Sequence, residues 1–81
     1  SPELGSVALY PNPAGNYFVL NCENISETTI VQIRDIRGRE VLSTELNQKT
    51  TYFETITWPN GIYFISLTGQ NQAKRKLVIL K

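Results

Sequence analysis

Histidine is absent from the 81 residues, and cysteine occurs once, at Cys22. The first absence removes the side chain that most often serves as general base or metal ligand near neutral pH. The second excludes an internal disulfide, and together they exclude a zinc site of the usual Cys/His kind. Charge of one sign is not in excess either: eight Lys and Arg against seven Asp and Glu leave a formal net charge of +1. So balanced a chain has no long-range field to gather nucleic acid or anionic lipid. No apolar run approaches the roughly 18 residues of a membrane helix, so direct membrane insertion is not expected. The first residues show no signal-peptide pattern.

Catalysis needs converging polar groups, and the sequence offers few. Its carboxylates, Glu3, Glu23, Glu27, Asp35, Glu40, Glu45 and Glu54, are scattered. A glycosidase-type pair would need two of them across a cleft, which a domain this small rarely has. There is no phosphate-binding glycine loop. The expectation is a chain that is not an enzyme, with no cofactor and no metal.

What is present is strand alternation at short spacing. Residues 1–6 contain Pro2 and Gly5 and no periodicity, and read as a linker; residues 7–81 read as one domain cut from a longer protein. Val7 to Tyr10 is an apolar run that stops at Pro11-Asn12-Pro13, where two missing backbone donors end a ladder. Tyr17 to Cys22 alternates, with Phe18, Leu20 and Cys22 on one face, so Cys22 reads as core rather than nucleophile. Glu23 to Thr28 is a polar loop. Thr29 to Ile36 is β-branched, with Val31 and Ile33 inward and Gln32 and Arg34 toward water.

Asp35-Ile36-Arg37-Gly38 is a turn in which Gly38 supplies positive φ. Arg39 to Leu46 returns, with Val41 expected as its inward anchor, and Asn47 to Thr50 is a loop. Thr51 to Thr57 is a strand carrying Phe53 and Ile56. Trp58-Pro59-Asn60-Gly61 is a second turn, in which Asn60-Gly61 can take positive φ. Ile62 to Thr68 places Tyr63, Ile65 and Leu67 on one face. Gly69 to Gln72 is a hairpin loop, and Lys74 to Lys81 is a closing strand with a basic start. About seven strands at roughly 8–12-residue spacing, with no helical period, predict an all-β, immunoglobulin-like antiparallel sandwich.

Two features invite a functional reading. Trp58, Tyr10, Tyr17 and Tyr52 could form a carbohydrate-binding platform or could fill the core. Lys74-Arg75-Lys76 followed by four apolar residues is either an ordinary last strand with protective charges or an extended segment open to strand addition. An exposed terminal or edge strand could also pair two copies into a homodimer.

Four pieces in order carry a resemblance: Leu9-Tyr10-Pro11-Asn12-Pro13-Ala14, the strand from Val31 through Gly38 to Val41, Pro59-Asn60-Gly61-Ile62-Tyr63-Phe64-Ile65, and Lys74 to Lys81. The series resembles the type A C-terminal sorting domain of the type IX secretion system, the Por secretion tail, from about Leu9 to the last residue. That resemblance implies an immunoglobulin-like domain that directs a cargo protein from the periplasm across the outer membrane. It implies recognition by a translocon, an outer-membrane shuttle protein and a sortase-like peptidase. The peptidase cuts near or before residues 1–7, and the cargo is left at the cell surface of a member of the Bacteroidota. It assigns translocon or sortase recognition to Lys76, Leu77, Val78, Ile79, Leu80 and Lys81. Pro11, Asn12 and Pro13 match the family's entry motif, Gly38 and Gly61 its turn glycines, and Tyr63 its tyrosine; all six read as structural. Trp58 departs from the aliphatic residue that the family places before its turn. The alternative function is an accessory carbohydrate-binding or adhesion module.

Overall fold

The structure is a computed structural model and describes residues 7–23, 29–68 and 73–81. The linker read at 1–6, all but Glu23 of the loop read at 23–28, and the loop read at 69–72 lie outside the described residues. Seven strands follow in chain order: β1 (Val7–Tyr10), β2 (Tyr17–Cys22), β3 (Ile30–Asp35), β4 (Glu40–Glu45), β5 (Thr50–Glu54), β6 (Gly61–Thr68) and β7 (Ala73–Ile79). They form a three-stranded sheet, β1-β2-β5, and a four-stranded sheet, β4-β3-β6-β7. Every ladder between them is antiparallel.

Alternation places the core. Phe18, Leu20 and Cys22 of β2 are buried, as are Val31 and Ile33 of β3, Tyr63, Ile65 and Leu67 of β6, and Leu77 and Ile79 of β7. Residues of both sheets join in one apolar cluster, so the sheets pack face to face. The Phe18 and Phe53 rings, cross-strand partners on β2 and β5, stack at 4.9 Å between centroids. Truncating a ring so enclosed costs about 3–5 kcal/mol.

The β3–β4 hairpin closes as its residues require. Gly38 sits at φ 88°, and its N–H donates to the Asp35 carbonyl. The Asp35 carboxylate accepts from the backbone N–H groups of Arg37 and Arg39 and pairs with the Arg39 guanidinium. At the other turn Gly61 takes φ 154°, while Asn60 keeps a negative φ.

One packing expectation and one strand boundary fail, each for a local reason. Val41 is not the inward anchor of β4; it is 38% exposed. Ile33 pairs with Leu42 and Arg34 with Glu40, so Val41 is the extra residue of a β-bulge. The bulge turns Leu42 toward the core instead. Ile56 is also exposed, because β5 ends at Glu54 and the chain turns at Ile56-Thr57. The buried residue there is Thr55, whose hydroxyl donates to the Gly15 carbonyl at 2.6 Å.

Candidate functional site

β7 lies at one side of the four-stranded sheet, where a strand would ordinarily leave unpaired N–H and C=O groups. The β1–β2 connection fills that place. The Asn12 side chain donates from Nδ2 to the Lys76 carbonyl (3.0 Å), and its Oδ1 accepts from the Val78 N–H (3.1 Å). One primary amide thus presents the donor and acceptor that a neighbouring peptide group would present. The side chain is needed because the prolines on either side have no N–H to give. Two residues on, the backbone takes over: the Ala14 N–H donates to the Val78 carbonyl (2.7 Å), and the Leu80 N–H donates to the Ala14 carbonyl (2.8 Å). Ala14 is fully buried and forms a parallel bridge with Ile79. Strand addition to β7 between Lys76 and Leu80 would therefore have to displace Asn12 and Ala14.

The end of the chain is held as closely. The Lys81 N–H donates to Oδ1 of Asn60 (3.1 Å). Its Nζ donates to the carbonyls of Ile56 (2.6 Å) and Trp58 (2.7 Å), charge-assisted bonds to the turn before β6. That turn is fixed from within by the Trp58 N–H to Thr55 carbonyl bond and by the Tyr63 hydroxyl, which donates to the Pro59 carbonyl at 2.7 Å. The Pro-Asn-Pro segment, the Pro-Asn-Gly turn, the tyrosine after it and the terminal lysine thus form one hydrogen-bonded assembly.

The Gly38 hairpin borders the same end. Residues Asp35–Arg39 and Pro59–Tyr63 line a shallow groove of about 280 Å³. Desolvation pushes the Asp35 carboxyl up, but the N–H groups of Arg39 and Arg37 and the Arg39 guanidinium outweigh it and hold the group below its usual range. Burial, and the charge of Asp35 across the ladder, push the Tyr63 phenol up.

The six residues assigned to recognition divide by environment. Leu77 and Ile79 are in the core, Val78 is half-buried, and Lys76, Leu80 and Lys81 are exposed. While the domain is folded, Leu77 and Ile79 present no side chain to a partner. Among the aromatics, Trp58 does not stand on an open platform. It packs on the core against Phe18 and Tyr63, with ring centroids 6.2 and 5.3 Å away. Tyr10, Tyr17 and Tyr52 do share the outer face of the three-stranded sheet, and the Tyr17 and Tyr52 rings stack at 5.4 Å. Sequence reading missed Ala14, Thr55 and Asn60 as members of the assembly. The one local signal was an amide residue flanked by two residues without N–H groups.

The family model described as a secretion system C-terminal sorting domain matches residues 8–81. An ulvan lyase of Nonlabens ulvanivorans, NLR42, is 29% identical over 82 aligned positions, covering 98% of this chain and 15% of the lyase. An endo-acting ulvan lyase of Formosa agariphila is 32% identical over 76 positions, covering 90% of this chain and 14% of the lyase. The chain thus spans about one-seventh of the curated relatives it matches. The crystal structure of a DUF3244 family protein from Bacteroides vulgatus, described as an immunoglobulin-like β-sandwich, superposes with a TM-score of 0.70 at 12% identity. The superposition covers 94% of this chain and 84% of that one, and at such identity it speaks for the fold alone. That fold is the expected immunoglobulin-like sandwich.

Proposed function

Because this chain belongs to the secretion system C-terminal sorting domain family, we propose that it is the type IX sorting signal of a larger exported cargo and is read in its folded form. The observation that carries the second half is the assembly around β7. Asn12, Ala14, Asn60 and Lys81 are all spent on holding the terminal strand in the sandwich. A signal read as a loose strand would have no use for such a clasp. In this reading the translocon and shuttle protein meet the outside of the finished domain at Lys76, Leu80 and their neighbours. The buried Leu77 and Ile79 act through folding. The cargo passes from the periplasm to the cell surface, and a sortase-like peptidase then removes the domain by cutting upstream of it. The domain itself performs no catalysis.

A reporter fused to the domain, expressed in a host with this secretion system, tests the reading. The unaltered fusion should reach the surface, and Leu80→Asp combined with Lys76→Ala should leave a folded fusion in the periplasm. If an unfolded variant such as Leu77→Asp is exported as well as the parent, folded-state reading is wrong. Mass spectrometry of the surface product checks removal, since a product that still carries the domain contradicts it.

A second reading is supported by the exposed face of Tyr10, Tyr17 and Tyr52 and by the names of the ulvan lyase relatives. On this reading the domain is an accessory glycan-binding module. Titration with ulvan oligosaccharides, with Tyr17→Ala/Tyr52→Ala as control, decides it. Absence of binding removes the idea.

A further inference from the structure

The outer face of the four-stranded sheet carries a basic groove that shares Lys76 with the surface assigned to sorting and otherwise lies outside it. It is about 480 Å³ in volume and is lined by Arg34, Phe64, Ser66, Lys74, Arg75 and Lys76. Register explains the cluster. Arg34, Phe64 and Lys76 are cross-strand neighbours on β3, β6 and β7, and Gln32, Ser66 and Lys74 form the next row. Residues on one face of a strand recur about 6.8 Å apart, and two strand spacings span about 10 Å. Three cations therefore surround Phe64, a residue that is 44% exposed. Four of the chain's eight Lys and Arg residues line this one groove, in a chain with a net charge of only +1. Among the described residues, Arg34 donates to neutral oxygens, those of Gly38 and Gln32. Its partner across the β3–β4 ladder is Glu40.

Like charges side by side on a sheet face are destabilising. Lysines on an outer strand commonly guard it against unwanted pairing. That account does not cover Lys76, because Asn12 already occupies the edge of β7 at that residue. The charges instead suit an anion. They are spread along a strand and do not converge on a point, which argues against an isolated phosphate. Their spacing along β7 is that of alternate residues in an extended chain, and an apolar ring lies between the rows.

We propose that this groove binds an extended acidic peptide segment of a partner protein, with carboxylates at alternate positions facing Lys74, Lys76 and Arg34 and an apolar side chain on Phe64. The assignment shares Lys76 with the export reading but is tested separately from it, by binding to the isolated 81-residue chain. An eight-residue peptide alternating glutamate with phenylalanine or threonine is the probe, and the same peptide with glutamine for glutamate is its control. Titration followed by amide chemical shifts should move Arg34, Phe64, Ser66 and Lys74–Lys76. Lys74→Glu/Lys76→Glu should weaken binding at least about tenfold with the thermal midpoint unchanged, and Lys74→Gln/Lys76→Gln should weaken it less. Raising the salt to 0.5 M, where the screening length is only about 4 Å, should weaken it too. Equal binding of the glutamine peptide, shifts confined to the Tyr17–Tyr52 face, or tighter binding of a uronate oligosaccharide of equal charge would each overturn the proposal.

Discussion

Asn12 and Val78 are joined by a hydrogen bond across 66 residues of sequence, and the same amide group donates to Lys76. The pair ties the connection between two strands of one sheet to the outer strand of the other. Asn12→Ala should lower stability by about 1–2 kcal/mol, the range for two partly solvated hydrogen bonds. The urea midpoint should fall with an unchanged slope. Hydrogen exchange at the Val78 amide should speed up more than exchange at Ile65.

Lys81 places its ammonium between two carbonyls, and a shorter or neutral side chain leaves them to water. Lys81→Ala should cost about 1 kcal/mol. Lys81→Arg should cost less, since a guanidinium retains charged donors near the same oxygens. Thermal melts of the two variants check the order, and an unchanged melt for Lys81→Ala would mean that Nζ contributes nothing there.

Leu77 and Leu80 separate folding from recognition. Leu77 is enclosed by the core, and Leu77→Ala should cost about 2–5 kcal/mol. That is a large part of the 5–15 kcal/mol typical of a whole domain. Leu80 is 64% exposed, and Leu80→Asp should change stability by less than about 0.5 kcal/mol. Deleting residues 77–81 removes both at once and cannot tell a lost signal from a lost fold. Export and circular dichroism measured on the two point variants can.

Asp35 links stability to acid. Its folded carboxyl titrates below the ordinary value of 3.8. Its contribution is therefore fully present above that value and is lost as the pH falls through the lower, folded value. Asp35→Asn should flatten the acid limb of the stability curve below about pH 4. Tyr63, whose phenol is raised above 10.0, has the opposite sense: its share is intact below that value and is lost as the pH rises past it. Urea midpoints across the pH range locate both limbs.

Much of the sandwich was legible because its determinants are local. Phe18, Leu20 and Cys22, like Tyr63, Ile65 and Leu67, alternate cleanly, and period-2 patterning alone assigns their faces. Val41 misled because a bulge changes which residue of a strand faces inward, and a bulge depends on the partner strand. Ile56 misled because an apolar residue in a turn looks like one more strand position. The clasp was not legible at all. It depends on Asn12 meeting a backbone 64 and 66 residues away, and no window along the chain contains both partners. Trp58 reads in the sequence either as a platform residue or as core filling, and it packs on the core against Phe18 and Tyr63.

The separation between Asn12 and Val78 also sets an order in time. Closing a loop of 66 residues costs roughly 4 kcal/mol of chain entropy before any contact there compensates, whereas the Asp35–Arg39 hairpin closes almost at once. The clasp should therefore form after the folding barrier has been crossed. Substitutions at Asn12 should steepen the rate of unfolding and leave the rate of folding nearly untouched. Stopped-flow kinetics across urea would then show the two limbs responding unequally, with the domain's lifetime, more than its speed of assembly, governed by a single amide side chain.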